Sequence, residues 1–358
     1  HVPAMPCIPV QPQSAHREKD DVSDSIFAES YRALLNSQQH VERVAGMVTR
    51  LLDRKEMLSK PAALEAVRQE ARGLASGGTW QLDTVKELDD LKSSAKKSGE
   101  KAVIGQLMTL CSEKFAELAD DSQKVLKGRI VFRGDNARDE SGALAIYQDL
   151  AASPTLITSA NANIAYGLFS GNKTTSADAV KAYIQSTLKS EHPTWVELPK
   201  ELWPDEWKGK FRRPVVRLMK SLYGHPESGA HWQNHLEAIL KREMKAEPLD
   251  GHQSTYFFPK SKLLLTVYVD DFLLSGPEAE HESFWTELSK HVKLEDISGL
   301  GRFLGRYHEI QTIEGRPTFI FAMPDYVRST CELYESLPGS KKLKPAPTPF
   351  VNEGSLSS

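Results

Sequence analysis

One stretch constrains the fold more than any other: Leu263-Leu264-Leu265-Thr266-Val267-Tyr268-Val269-Asp270-Asp271-Phe272-Leu273-Leu274-Ser275-Gly276. Two β-rich apolar runs, Leu263–Val269 and Phe272–Leu274, flank a pair of acids, which predicts a hairpin with both aspartates at its tip. Adjacent like charges repel one another and lose hydration when partly buried. A turn chosen for geometry alone would carry Asn-Gly or Asp-Gly. A divalent cation makes such a pair useful, because Mg²⁺ takes hard carboxylate oxygens and completes its octahedron with water and substrate phosphates. The plainer alternative is an exposed tip whose acids only solubilise the turn.

Asp178 adds a third acid, at the head of Asp178-Ala179-Val180-Lys181-Ala182-Tyr183-Ile184-Gln185. As a favoured capping residue it could simply open a helix. On a strand beside the hairpin it would instead face Asp270 and Asp271. Three carboxylates could then hold two metal ions, the arrangement that serves phosphoryl transfer.

The rest of the chain supplies a mixed frame. Residues 1–24 are Pro-rich and then charged without apolar period, and are expected to be disordered. The opening at His1, with Pro3, Pro6, Pro9 and Pro12, is expected to be the cut end of a longer precursor. Apolar residues from Phe27 to Leu52 step by three or four, predicting a long helix. A second helix is expected from Ser59-Lys60-Pro61 to Gly77-Gly78, with Ser59 as cap, and a third over Thr84–Ser98. Residues 25–100 thus form a helical N-terminal extension packed outside the main core, residues 101–300 the central unit, and residues 301–358 a final piece. Within the central unit, strands are expected at Gly128–Gly134 and Val215–Leu218, and helices over Ser153–Phe169 and Ala230–Met244. Helices and strands interleave without the Gly-rich turns of a dinucleotide fold, so the class is α+β. No internal repeat, Walker A loop or G-x-S-x-G is present. His231-x-x-x-His235 lacks the glutamate of a zinc protease and has no obvious third ligand.

Charge decides where a polyanion could bind. The net charge is -3, so any nucleic-acid contact must be local. Trp207–Lys220 carries Lys208, Lys210, Arg212, Arg213, Arg217 and Lys220 and no acid, six positive charges in fourteen residues. The alternative is a charged, solvated loop punctuated by Gly209 and Pro214. No run of about 18 apolar residues occurs, so no membrane-spanning helix is expected. Three scattered cysteines (Cys7, Cys111, Cys331) fit a reducing compartment.

At this point the motifs carry a resemblance. Tyr268-Val269-Asp270-Asp271 resembles the Y-x-D-D box of reverse transcriptases, and Asp178 with Ala182-Tyr183 resembles their D-x-x-x-A-[FY] motif. Further segments are similar, in order, to the reverse transcriptases of copia-type retrotransposon polyproteins. They are Gly78-Thr79-Trp80-Gln81-Leu82, Val103-Ile104-Gly105, Lys127-Gly128-Arg129-Ile130-Val131 with Arg133-Gly134, and Val216-Arg217-Leu218-Met219-Lys220-Ser221-Leu222-Tyr223-Gly224 with Trp232. Leu300-Gly301-Arg302-Phe303-Leu304-Gly305, Tyr326-Val327 and Thr348-Pro349 extend the series, which covers roughly Leu58 to Pro349. The sequence departs from the family after Gly224, where His225-Pro226-Glu227-Ser228-Gly229-Ala230 stands in place of L-K-Q-A-P-R and its cations are lost.

The resemblance implies a right-hand polymerase of fingers, palm and partial thumb. It implies that Asp178, Asp270 and Asp271 ligate two Mg²⁺ ions, with Mn²⁺ as a possible substitute. Tyr183 takes the place of a steric gate against the ribose 2′-hydroxyl, Lys127 and Arg129 would clamp the triphosphate, and Tyr223 and Gly224 would line the substrate site. The implied partners are an RNA or DNA template with its primer, deoxynucleoside triphosphates, and the integrase and ribonuclease H domains of a longer polyprotein. The implied location is intracellular, in cytoplasmic virus-like particles or the nucleus. Two alternatives are an inactive remnant that binds nucleic acid or a partner, and another palm-type enzyme such as a nucleotide cyclase.

Overall fold

The computed structural model describes residues 49–114, 124–147 and 154–344. Its first half contains β1 (Thr49–Leu51), α1 (Arg54–Ser59), α2 (Pro61–Ser76), β2 (Trp80–Glu87), α3 (Leu88–Ser98), β3 (Val103–Lys114), β4 (Val125–Phe132) and β5 (Arg138–Asp139). There follow α4 (Ile157–Gly167), β6 (Asn172–Asp178), β7 (Thr194–Glu197), β8 (Pro214–Leu218), α5 (Ser228–Arg242), β9 (Glu247–Pro248) and β10 (Thr255–Phe258). The last elements are β11 (Leu263–Tyr268), β12 (Asp271–Pro277), α6 (His281–Ser289), β13 (Ser298–Gly299), β14 (Arg302–Phe303), β15 (Arg306–Ile313), β16 (Arg316–Ala322) and α7 (Pro324–Ser336). The class is α+β.

A first sheet runs β1-β3-β7-β8-β2, with β4 and β5 also on β3. Among the described residues its one parallel pairing joins β3 to β7, Val103 opposite Thr194. Helix α2 is held on this sheet by its apolar stripe: Ala63, Val67, Ala71 and Leu74 are buried in one cluster with Trp80, Leu107, Ile130, Phe132 and Val216. Gly128 makes the close approach possible, since a Cβ there would lie 2.5 Å from the Ala66 carbonyl oxygen.

The second sheet runs β13-β6-β12-β11-β10-β9 and is covered on both faces. Alternation along β12 sends Phe272 and Leu274 to the side of Trp232 and Leu236 on α5 and Trp285 and Leu288 on α6. Leu273 points the other way, to Ala160 and Ile164 of α4. Burial on both faces explains the unbroken apolar runs that flank the acids. Asn163 of α4 stitches the sheet from below: its amide donates to the Leu264 and Leu273 carbonyls, both at 3.0 Å, and to Thr266 Oγ1 at 2.7 Å. A third sheet, β14-β15-β16, joins this lower core through Phe303 and Phe319.

Several boundaries differ from expectation. The helix predicted over Phe27–Leu52 and the lead-in 1–24 lie outside the described residues, except that Thr49–Leu51 form a strand paired to Ser112–Lys114. Thr84–Glu87 belong to β2 rather than to a helix. Lys86 and Glu87 pair with β8, and Thr84 Oγ1 fills the bulge between Gln81 and Lys86 by accepting the Arg217 N–H at 2.9 Å. Ser59 ends α1, and Lys60 occupies the cap of α2 with Pro61 at its first position. Residues 49–98 do not pack outside the core. Their strands are members of the first sheet and α2 supplies one side of its core, so no boundary falls at residue 100.

Candidate active site

Register builds the site. Strands β6 and β12 pair antiparallel over seven rungs from Pro277 opposite Asn172 to Asp271 opposite Asp178. Side chains directly opposite on antiparallel neighbours share a face, with Cβ atoms about 4.5–5.5 Å apart. Asp178 and Asp271 therefore project together at the end of the sheet. Asp178 is a strand residue, not a helix cap.

The hairpin tip lies one residue earlier than the sequence predicts. Tyr268 pairs with Asp271, leaving Val269 and Asp270 as the two-residue turn. Val269 has φ +57, a left-handed conformation that a β-branched residue rarely adopts. Its neighbours hold it there. The buried indole of Trp232 donates Nε1–H to the Val269 carbonyl at 2.7 Å, and the Ala179 N–H donates to the Asp270 carbonyl at 2.7 Å. Strain enforced by surrounding contacts is characteristic of functional turns.

The carboxyls are electrostatically crowded. Partial desolvation, then the charges of Asp270 and Asp178, push Asp271 up to about 6, and only Arg302 opposes them. Asp178 is raised as well, by desolvation, Glu295 and Asp270. Glu295 is a fourth acid that the motifs do not reveal. It is brought in by a backbone bond from its N–H to the Asp178 carbonyl at 2.7 Å. Hard carboxylate oxygens that raise one another's pKa are a donor set suited to a divalent cation. As the side chains stand, however, no group of three or more His, Cys, Asp or Glu among the described residues is arranged to hold a metal ion.

Around the acids lie two phenols. Tyr183 and Tyr223 meet edge to face with ring centroids 4.8 Å apart. Burial and then Asp270 raise both, Tyr223 to about 12. Tyr183, in a 3-10 turn at Ala182–Gln185, also lines a small apolar pocket with Trp232, Tyr256, Val267 and Val269. Tyr223 is fixed by its carbonyl, which accepts the Phe132 N–H at 2.7 Å. Gly224 follows at φ +84, where a Cβ would lie 2.1 Å from the Phe132 carbonyl oxygen. Lys127 and Arg129 are exposed on one face of β4, and the Arg129 charge acts on the Tyr223 phenol.

The segment that replaces the family's cations is mostly buried, with Pro226 exposed. His225 packs on Phe132 and Tyr147, with centroids 4.8 and 5.2 Å away, and burial lowers its pKa to about 4. Glu227 is buried beside His231, 3.6 Å away, and accepts from Ser190. His231 Nε2 stands close to this buried carboxylate without a hydrogen bond to it.

The basic stretch is spread over β8 and the loop before it, and acids from other elements meet it. Arg213 pairs with Glu197 at 2.9 Å, and Lys208 with Asp205 at 2.5 Å. Glu87 accepts the Arg212 and Arg213 backbone N–H groups at 2.9 and 2.8 Å. Arg217 is half-buried with its guanidinium 6.0 Å from the Trp195 ring, and burial lowers its pKa. Lys210 and Arg212 are exposed, and Lys220 is partly so.

Comparison with known proteins agrees with this architecture. Residues 120–333 match the family described as Reverse transcriptase (RNA-dependent DNA polymerase). The truncated transposon Ty1-A Gag-Pol polyprotein of Saccharomyces cerevisiae is 26% identical over 220 residues, 62% of this chain and 16% of that relative. The Ty1-DR5 and Ty1-LR2 Gag-Pol polyproteins of the same organism are 26% and 24% identical over the same share of this chain, and 11% of their own length is covered. The matched region is thus a small part of those relatives. Its extent along this chain is enough to place it: the chain belongs to the reverse transcriptase (RNA-dependent DNA polymerase) family.

Proposed function

We propose that this chain is the reverse transcriptase of a copia-type retrotransposon, adding deoxynucleotides to a primer 3′-end on an RNA or DNA template. The observation that carries the reading is the rung that sets Asp178 opposite Asp271, with Asp270 in the adjoining turn. In this reading the first sheet with α2 serves as fingers, the second as palm, and the third with α7 as a partial thumb.

Asp178, Asp270 and Asp271 would hold Mg²⁺ or Mn²⁺ through their carboxylate oxygens. A cation there supplies charge neutralisation for the triphosphate and a lowered pKa for the primer hydroxyl. The chain's own groups do the rest. Tyr183, buttressed by Tyr223, crowds the sugar edge of the incoming nucleotide, and Lys127 and Arg129 on β4 meet its phosphates. Trp232 fixes the turn, so the carboxylates need little reorganisation when substrate arrives. Lys210, Arg212 and Lys220 are the members of the basic stretch best placed to meet a phosphate backbone. Integrase and ribonuclease H domains are the partners expected from a longer polyprotein.

A second reading is a remnant that binds nucleic acid without chemistry, for which the fold and exposed cations such as Lys210 and Arg212 would suffice. Primer extension on RNA and on DNA templates with Mg²⁺, run beside an Asp270→Asn, Asp271→Asn variant, separates the two. Extension that disappears in the variant supports the enzyme. Template binding by folded protein without extension supports the remnant.

A further inference from the structure

Lys181 stands three residues after Asp178 and two before Tyr183. Its φ of +51 is left-handed, and this reverses the chain at the end of β6. The side chain then leaves the second sheet and reaches the first, where Nζ meets Glu70 Oε2 of α2 at 2.6 Å. Glu70 is close enough to Tyr223 to act on its phenol, as are Arg129 and Asp270. The ion pair therefore neighbours Tyr223, whose ring meets Tyr183 and feels the charges of Asp270 and Arg129 as well.

This lysine is not committed to its partner. The side chains of Lys181 and Glu70 are 39% and 23% exposed, so water and solutes reach the pair. Partly exposed ion pairs are weak and exchange readily. A triphosphate arriving above Asp178, Asp270 and Asp271 brings a greater negative charge than one carboxylate, and a flexible four-carbon stem lets the ammonium follow it.

Building on the polymerase reading, we infer that Lys181 binds the triphosphate of the incoming nucleotide, and that Glu70 is the competing anion that holds it in reserve. The pair is then an exchangeable clasp between α2 and the acid-bearing strand.

The test is equilibrium binding of a labelled deoxynucleoside triphosphate, and of the matching monophosphate, to the full chain with Mg²⁺ and primer–template. Lys181→Met should weaken triphosphate binding about tenfold, the scale of one charge-assisted contact, and monophosphate binding far less. Lys181→Arg should restore most of the loss. Glu70→Gln should act in the opposite direction and tighten triphosphate binding about two- to threefold by removing the competitor. A purely structural pair would move Lys181→Met and Glu70→Gln the same way and would not separate triphosphate from monophosphate. That result overturns the inference. Primer extension by the unsubstituted chain reads the polymerase assignment separately. Extension with an unaltered Lys181→Met sinks only the role of Lys181, whereas neither extension nor triphosphate binding sinks both.

Discussion

Replacing Asp271 with asparagine should make the protein more stable above neutral pH, although the residue is proposed to be catalytic. Asp271 is held at about 6 against an ordinary 3.8, by desolvation and by Asp270 and Asp178. Fully expressed, that gap corresponds to about 3 kcal/mol, and solvent at this half-open site reduces it to about 1–2 kcal/mol. The folded protein holds the proton more tightly than the unfolded chain, so between about pH 4 and pH 6 folding takes up a proton. Stability is therefore greatest at the low end of that window, falls as the pH rises through about 6, and stays lowered above it. The amide of an Asp271→Asn variant carries no charge to crowd, so its thermal unfolding at about pH 8 should shift up by roughly 2–6 °C. Below about pH 4 the two proteins should melt close together, because the wild-type carboxyl is then largely protonated in the folded and the unfolded chain alike. Mg²⁺ should stabilise the wild type at the higher pH and leave the variant little changed. A variant no more stable than wild type at about pH 8, or one whose advantage persists unchanged at low pH, would refute the electrostatic argument. The second outcome would make the effect one of packing.

Two other substitutions test the scaffold. Gly224→Ala places a methyl 2.1 Å from the Phe132 carbonyl oxygen at a backbone φ of +84. It should destabilise by more than about 2 kcal/mol in urea unfolding, and a neutral result would mean that the Tyr223 loop is not locked to β4. Trp232→Phe keeps an aromatic ring in the core but removes the pyrrole ring and with it the 2.7 Å bond to the Val269 carbonyl. Unfolding experiments should show a loss of about 1 kcal/mol, with primer extension reduced more than that loss explains; unchanged extension would mean that the turn holds its strained shape without the indole.

Much of the site could be read from the chain because it depends on short-range pattern. The apolar runs around Asp270-Asp271 are continuous because β11 and β12 are buried on both faces, and that continuity marks them in the sequence. The location of the turn was not legible. A pair of acids looks like a tip, whereas the ladder runs one rung further and leaves Val269, a poor turn former, in the left-handed position. Strand β2 was hidden for a related reason. Its outward face is charged and its ladder is bulged, so Gln81–Glu87 has no clean alternation until β8 lies beside it. The basic stretch was overestimated because its counter-charges are remote in sequence. Glu87 and Glu197 reach Arg212 and Arg213 only through the pairing of β2 and β7 with β8. Glu70 and Lys181 are 111 residues apart and share no motif.

The order of strands along the chain has a mechanical consequence. Beginning in the first sheet, the backbone enters the second at β6, returns for β7 and β8, and leaves again for β9 to β13. Neither sheet can therefore be excised as a contiguous fragment, and a nascent chain released before β12 would lack the strand that pairs with β6 over its full length. Loosening one sheet pulls on three connecting segments anchored in the other. Denaturant should find a single steep transition, with amides of β3 and β12 losing protection together rather than in sequence.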